Sequence, residues 1–121
     1  MHGLGELETA VMNVLWDVDE PIKVRDVLER LNTGKTLAYT TVMTVLDNLH
    51  RKGWTAREQH GKAYYYQPSY SREEASARAL REVLDSSADP KAVLMHFVAS
   101  VSDEETDLLR TALRRKRIPR R

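Results

Sequence analysis

Between Ala38 and Tyr66 the chain runs AYTTVMTVLDNLHRKG and then WTAREQHGKAYYY, and here its chemically selective side chains are concentrated. Ala38, Val42, Val45, Leu46 and Leu49 recur at helical spacing and predict a buried stripe. At about 100° per residue, positions 40, 44, 47 and 51 point away from that stripe. The outward face then carries Thr40, Thr44 and Arg51, flanked by Thr41 and Asn48 on one edge and by Met43 on the other. Short hydroxyl and amide side chains reach base edges without clashing, apolar groups can meet a thymine methyl, and cations meet phosphates. The chemistry this pattern suits is contact with a DNA major groove. Arg51, Lys52 and Lys62 are the candidate phosphate contacts, with Lys35 ahead of the helix as a further one. Asp47 is out of place on such a face, because a carboxylate repels phosphates. It can accept from a cytosine amine or pair with Arg51 one turn later; the pair, in the favourable order for i,i+4, is preferred.

The same residues also describe an ordinary solvated helix face. What favours recognition is the segment that follows. Gly53 suits the position just past a helix end. Trp54, Ala56 and Glu58 then alternate with Thr55, Arg57 and Gln59, His60-Gly61 supplies turn chemistry beside Lys62, and Ala63 to Gln67 returns as a second strand. Upstream, Leu4, Leu7, Val11, Val14 and Leu15 predict a helix from Gly5 to about Val18, closed by a core Trp16. Pro21 and Ile22 are placed to add a very short strand to the hairpin. Val24, Val27, Leu28 and Leu31 mark a second helix of about nine residues. Three helices and a two-stranded hairpin, ending near Pro68, make a complete winged helix-turn-helix. The fold class is mainly α with a small β-hairpin wing.

After Pro68 the pattern changes. Ser71-Arg72-Glu73-Glu74 and Ser102 with Glu105 are capping boxes, and Pro90 suits a first helical position. The helices they open carry narrow apolar stripes: Ala77, Leu80, Val83 and Leu84; Val93, Leu94, Phe97, Val98 and Val101; Leu108, Leu109, Ala112 and Leu113. Helices this short are marginal alone. Their stripes need a partner surface, and a second copy of the chain is the simplest source. The expected organisation is a DNA-binding domain over residues 1–70 and a helical dimerisation region over 71–121, ending in the basic run RRKRIPRR.

Composition excludes several classes. The 121 residues suit one small domain with an appendage, and a net charge of +1 means that cations must act by clustering rather than by number. There is no cysteine, so disulfides and thiolate metal sites are out. No apolar run approaches the roughly 20 residues of a membrane span. The start, MHGLGELETAV, has neither a basic region nor a secretory apolar core, so a cytoplasmic protein without membrane insertion is expected. His2, His50, His60 and His96 form no i,i+3 or i,i+4 pair, and no nucleophile–base grouping or phosphate loop occurs. No metal, cofactor or enzymatic activity is expected. Tyr64, Tyr65 and Tyr66 could stack on bases, but strand tyrosines are more often half core and half surface.

The blocks ELETAVMNVLWD, KVRDVLERL, AYTTVMTVLDNLHRKGW and AYYYQP resemble the BlaI/MecI/CopY family of penicillinase-type repressors, from about Leu4 to Arg117. The resemblance implies a dimeric transcriptional repressor whose C-terminal helices intertwine, acting on double-stranded operators that are inverted repeats with TACA/TGTA-like half-sites. It places the reading helix over Ala38 to Asn48, so Tyr39, Thr40, Thr41, Met43, Thr44 and Asn48 become the base-reading candidates. Some members carry basic residues where Thr40, Met43 and Asn48 stand, which implies a more apolar readout and a weaker phosphate grip here. The dimerisation candidates are Leu80, Val83, Leu84, Phe97, Val98, Leu108, Leu109 and Leu113. Copper-responsive members use a cysteine-rich motif that this chain lacks. Penicillinase-type members are cut at an Asn-Phe bond once a membrane sensor metalloprotease of the BlaR/MecR type is activated. The matching segment is VLMHFVASVSDEE, with His96 in place of the Asn and Phe97 retained. Two other readings stay open: a winged helix that docks protein rather than DNA, and a regulator answering directly to a small molecule without proteolysis.

Overall fold

The apolar spacing that begins at Leu4 closes into α1 (Glu6–Asp17), which buries Val11, Met12 and Leu15. A computed structural model describes residues 3–31 and 36–116 of the chain. After α1 come β1 (Ile22–Lys23), α2 (Val24–Arg30), α3 (Tyr39–Arg51), β2 (Thr55–His60) and β3 (Ala63–Pro68). The second helix is seven residues rather than nine, because Leu31 turns to an extended backbone with ψ 129°. The short strand comprises Ile22 and Lys23, and it adds to the hairpin as a third strand. β3 lies between β1 and β2, both antiparallel to it, with Ile22 and Arg57 opposite Tyr66 on its two sides. Tyr66 is thereby fixed at the centre of the sheet and is buried, while Tyr64 is exposed and Tyr65 half-buried.

One core holds these elements together. Val11, Met12 and Leu15 meet Val27, Val42, Leu46, Leu49 and Tyr66, with Trp16 and Trp54 packed at its margin. Trp16 also donates its indole N–H to the Tyr70 carbonyl at 2.9 Å. Ala38 departs from the expected stripe. It precedes α3 with an extended backbone, ψ 147°, and is exposed, so helical periodicity does not govern it.

By its internal contacts the chain divides into two compact units, Met1–Leu80 and Arg81–Arg121. α4 (Arg72–Asp85) begins within the first. Its capping box is formed as the sequence predicts: the Ser71 N–H donates to Glu74 Oε1 at 2.8 Å, and the Glu74 N–H donates to Ser71 Oγ at 3.0 Å. Ala75 is buried in this unit, and Arg72 pairs with Asp17 at 3.1 Å. In the second unit α5 (Pro90–Ser100) starts on Pro90, with Asp89 Oδ1 accepting from the Ala92 N–H at 3.1 Å. α6 (Asp103–Lys116) starts on the reciprocal Ser102–Glu105 bonds of 2.9 and 3.0 Å. Its first turn is acidic and its last turn is Arg114, Arg115 and Lys116, the order that complements a helix dipole. Neither α5 nor α6 buries a single residue. Phe97 is 51% exposed, Leu108 68% and Leu113 60%, values that mark an uncovered apolar face rather than a core.

Candidate nucleic-acid interface

α3 is held from behind and left bare in front. Val42, Leu46 and Leu49 are buried, while Tyr39, Thr40, Thr41, Met43 and Thr44 are exposed. Five of the six proposed base-reading residues therefore stand on accessible surface. The sixth, Asn48, is half-buried and accepts a hydrogen bond at Oδ1 from the Arg51 guanidinium.

The junction between α3 and the hairpin is built by backbone geometry. Gly53 takes φ +84°, a left-handed conformation that costs a side-chain-bearing residue energy. Its N–H donates to the His50 carbonyl at 3.0 Å and the Trp54 N–H to the Leu49 carbonyl at 2.9 Å, the pair of bonds of a Schellman motif. Trp54 thus belongs to the helix cap rather than to the strand. Inward-facing Thr55 starts the alternation, followed by half-buried Arg57. The hairpin closes over Gly61 and Lys62, with His60 already paired to Ala63. Gly61 supplies φ +64° and Lys62 stands exposed at the tip.

Asp47 is resolved by a partner that sequence reasoning missed. Arg57 of β2 reaches it at 3.1 Å, closer than Arg51 at 3.8 Å. The same guanidinium donates to the Tyr66 hydroxyl at 3.4 Å and lies 4.2 Å from the Tyr64 ring centroid. The Tyr66 bond outweighs burial and, with Asp47, raises the Arg57 pKa above its ordinary value. The carboxylate on the outward face is thus neutralised from the wing, and helix and hairpin are tied together by one side chain.

Lys52 is likewise engaged. Its ammonium lies 2.9 Å from Glu8 Oε2 and 3.0 Å from Oε1, joining the end of α3 to the start of α1. Burial would raise the Glu8 pKa, but the Gly5 N–H and Lys52 reverse that and hold it below its ordinary value. A depressed folded-state value means stabilisation that is complete above the unfolded-state carboxylate range and lost as pH falls through the folded-state value. Thermal melts between pH 6 and pH 3 are expected to drop more steeply for the wild type than for Glu8→Gln; parallel curves would remove the Glu8–Lys52 pair from the stability account.

Lys35 lies outside the described residues. His50 Nδ1 is 3.2 Å from the Thr55 carbonyl, where it donates, and His60 pairs with Glu58 at 2.7 Å. Among the described residues no group of three His, Cys, Asp or Glu side chains is placed to hold a metal, and no helix is long and apolar enough to cross a membrane. His96 and Phe97 sit inside α5, both exposed.

Known proteins share this arrangement. Two transcriptional regulators named BlaI, from Mycobacterium tuberculosis strains CDC 1551 and H37Rv, are each 42% identical over 113 residues, covering 91% of this chain and 82% of the relative. The solution structure of the DNA-binding domain of the repressor BlaI superposes with a TM-score of 0.52 at 25% identity, over 60% of this chain and 87% of that one. A MarR family protein from Bacillus stearothermophilus has the same fold at 17% identity, with a TM-score of 0.51, over 94% of this chain and 73% of its own. The sequence profile of the penicillinase repressors matches residues 4–115, so this chain, with its winged helix and bare C-terminal helices, belongs to the penicillinase repressor family.

Proposed function

We propose that the protein is a cytoplasmic, non-enzymatic transcriptional repressor of the BlaI type, binding an inverted-repeat operator in double-stranded DNA as a homodimer. The observation that carries this reading is the front of α3: three exposed threonines and a methionine, backed by a buried stripe and tied to a wing. Small side chains on a rigid helix are what base-edge readout needs, because they approach closely without clashing. Lys62 at the wing tip and Arg51 contact phosphates in this reading. Lys52 does so only by giving up Glu8, which makes it a weaker contact than its position suggests.

Residues 1–70 carry recognition and residues 71–121 carry dimerisation. The exposed side chains Leu80/Val83, Phe97/Val98 and Leu108/Leu109/Leu113, with half-buried Leu84 beside the first pair, support a second copy as their cover. Release by a sensor metalloprotease of the BlaR/MecR type would act at or near His96-Phe97, which the family resemblance aligns with the cleaved bond and which is exposed on α5.

Thr41→Ala and Thr44→Ala are each expected to cut discrimination between a TACA/TGTA inverted repeat and a scrambled duplex by about 1–3 kcal/mol. Lys62→Ala is expected instead to weaken both duplexes alike and to lower the salt slope by about one. Fluorescence anisotropy titrations read both. Unchanged discrimination in folded threonine variants would mean that α3 presents a different face to its partner, or that the partner is protein.

A further inference from the structure

Between the wing and α4 lie only Ser69, Tyr70 and Ser71, and each of them is tied down. The Ser69 N–H donates to the Trp54 carbonyl at 2.9 Å, which fastens the chain to the cap of α3. The Tyr70 carbonyl accepts from the Trp16 indole at 2.9 Å, which fastens it to α1. Ser71 makes both bonds of the capping box that opens α4. A connection with a hydrogen bond at every residue is not a free joint.

Side chains hold the first turns of α4 as well. The Arg72 guanidinium lies 5.2 Å from the Trp16 ring centroid and pairs with Asp17 at 3.1 Å, so the last turn of α1 grips the first turn of α4. An ion pair this exposed contributes little by itself, but the ring and the indole bond fix the same corner. Arg78, further along α4, lies 4.3 Å from the Tyr70 ring centroid. Ala75 is 0% exposed, and its single methyl lets the helix backbone approach closely. Leu80, about 140° round the helix from Ala75, is 62% exposed. The helix thus turns a small residue towards the reading domain and a leucine away from it.

We infer that Trp16, Asp17 and Arg72 lock the first half of α4 to the reading domain, and that this lock sets the spacing of half-sites which the dimer accepts. The inference rests on the homodimeric, inverted-repeat reading above and gives it a specificity element that touches no base. Each added base pair moves one half-site by about 3.4 Å and turns it by about 35°. A soft joint absorbs such a displacement. A locked arm that starts at Ser71 must instead bend or release one half-site, and the gain from linking is lost when both cannot be engaged together. Trp16 and Arg72 act here as positioning residues, through the placement of α3.

The test uses the full chain, with Arg72→Ala, the double variant Trp16→Phe/Arg72→Ala and the charge-conserving Arg72→Lys. Each is titrated onto the TACA/TGTA inverted repeat, onto repeats lengthened at the centre by one, two and three base pairs, and onto an isolated half-site. The wild type is expected to lose at least about tenfold in affinity when two base pairs are added, out of an advantage of roughly 10²–10⁴ over the half-site. The double variant is expected to lose less than about threefold over the same step, Arg72→Ala to fall between the two, and Arg72→Lys to keep the wild-type profile. Half-site affinity is expected to be unchanged in all of them, which a general loss of fold would not allow. Arg72→Ala alters an exposed side chain and carries the test alone where the double variant does not fold. A spacing profile as steep as the wild type's in folded, dimeric variants would overturn the lock and leave the dimeric reading standing. So would a wild type that binds every spacing alike and better than the half-site. Weakened half-site binding in dimeric variants would overturn the lock too, by placing Trp16 and Arg72 in the support of α3. Full sites bound no better than the half-site by the wild type would overturn the dimeric reading and the lock with it.

Discussion

Replacing Leu108 and Leu113 together by aspartate is expected to convert the protein to a monomer and to weaken binding of a full inverted repeat by roughly 10²–10⁴-fold. Both side chains lie on α6, both are largely exposed in the single chain, and each would contribute about 1.5–3 kcal/mol if fully buried by a partner. An aspartate in that interface adds an unpaired buried charge to the lost apolar contact. Binding to an isolated half-site is expected to stay near the wild-type value, because nothing in α3 or the wing changes. Sedimentation velocity gives the first result and anisotropy on full-site and half-site duplexes gives the second. A dimer that survives both substitutions would move the interface elsewhere. Cutting the chain at His96-Phe97 is expected to produce the same pattern, since it detaches α6 while leaving residues 1–80 intact.

Leu46→Ala is expected to cost about 2–5 kcal/mol of folding stability. Leu46 is fully buried at the middle of α3, where it meets the α1 and sheet residues of the core. Small domains hold only about 5–15 kcal/mol in total, so this one change should move the urea midpoint by a large fraction of its value without altering the slope of the transition. Thr44, two positions earlier and exposed, gives the contrast: its alanine variant should melt as the wild type does while losing discrimination. A loss below about 1 kcal/mol at Leu46 would mean that the site collapses around the smaller side chain far better than such cores usually do.

The features legible in the sequence are those that short-range rules govern. The stripe Val42, Leu46, Leu49, the glycine past the helix end and the reciprocal serine–glutamate caps at Ser71 and Ser102 depend on spacings of a few residues. The alternation in the hairpin was legible as well, but which face turned inward was not. Trp54 is large and apolar, yet it packs against the core from the helix cap, and the inward phase begins at Thr55. The ion pairs were hidden for a different reason. Asp47 and Arg57 stand ten positions apart, and Glu8 and Lys52 forty-four, with only the tertiary fold bringing them together. Helical arithmetic offered Asp47 only Arg51, and could not see that the returning wing delivers a closer guanidinium.

The internal engagement of Lys52 and Arg57 bears on how such a protein spends its time in a cell. Attraction to random sequence is almost wholly a matter of cations meeting phosphates. A chain with a net charge of +1, whose Lys52 and Arg57 already face Glu8 and Asp47, has little beyond Arg51 and Lys62 to offer an arbitrary stretch of duplex. A genome presents about 10⁶–10⁹ competing sites, so the fraction of molecules idling on them decides how many remain to occupy an operator. Short visits to the wrong sequence let a small number of copies keep a gene silent, and leave fewer bystanders to clear when silence has to end.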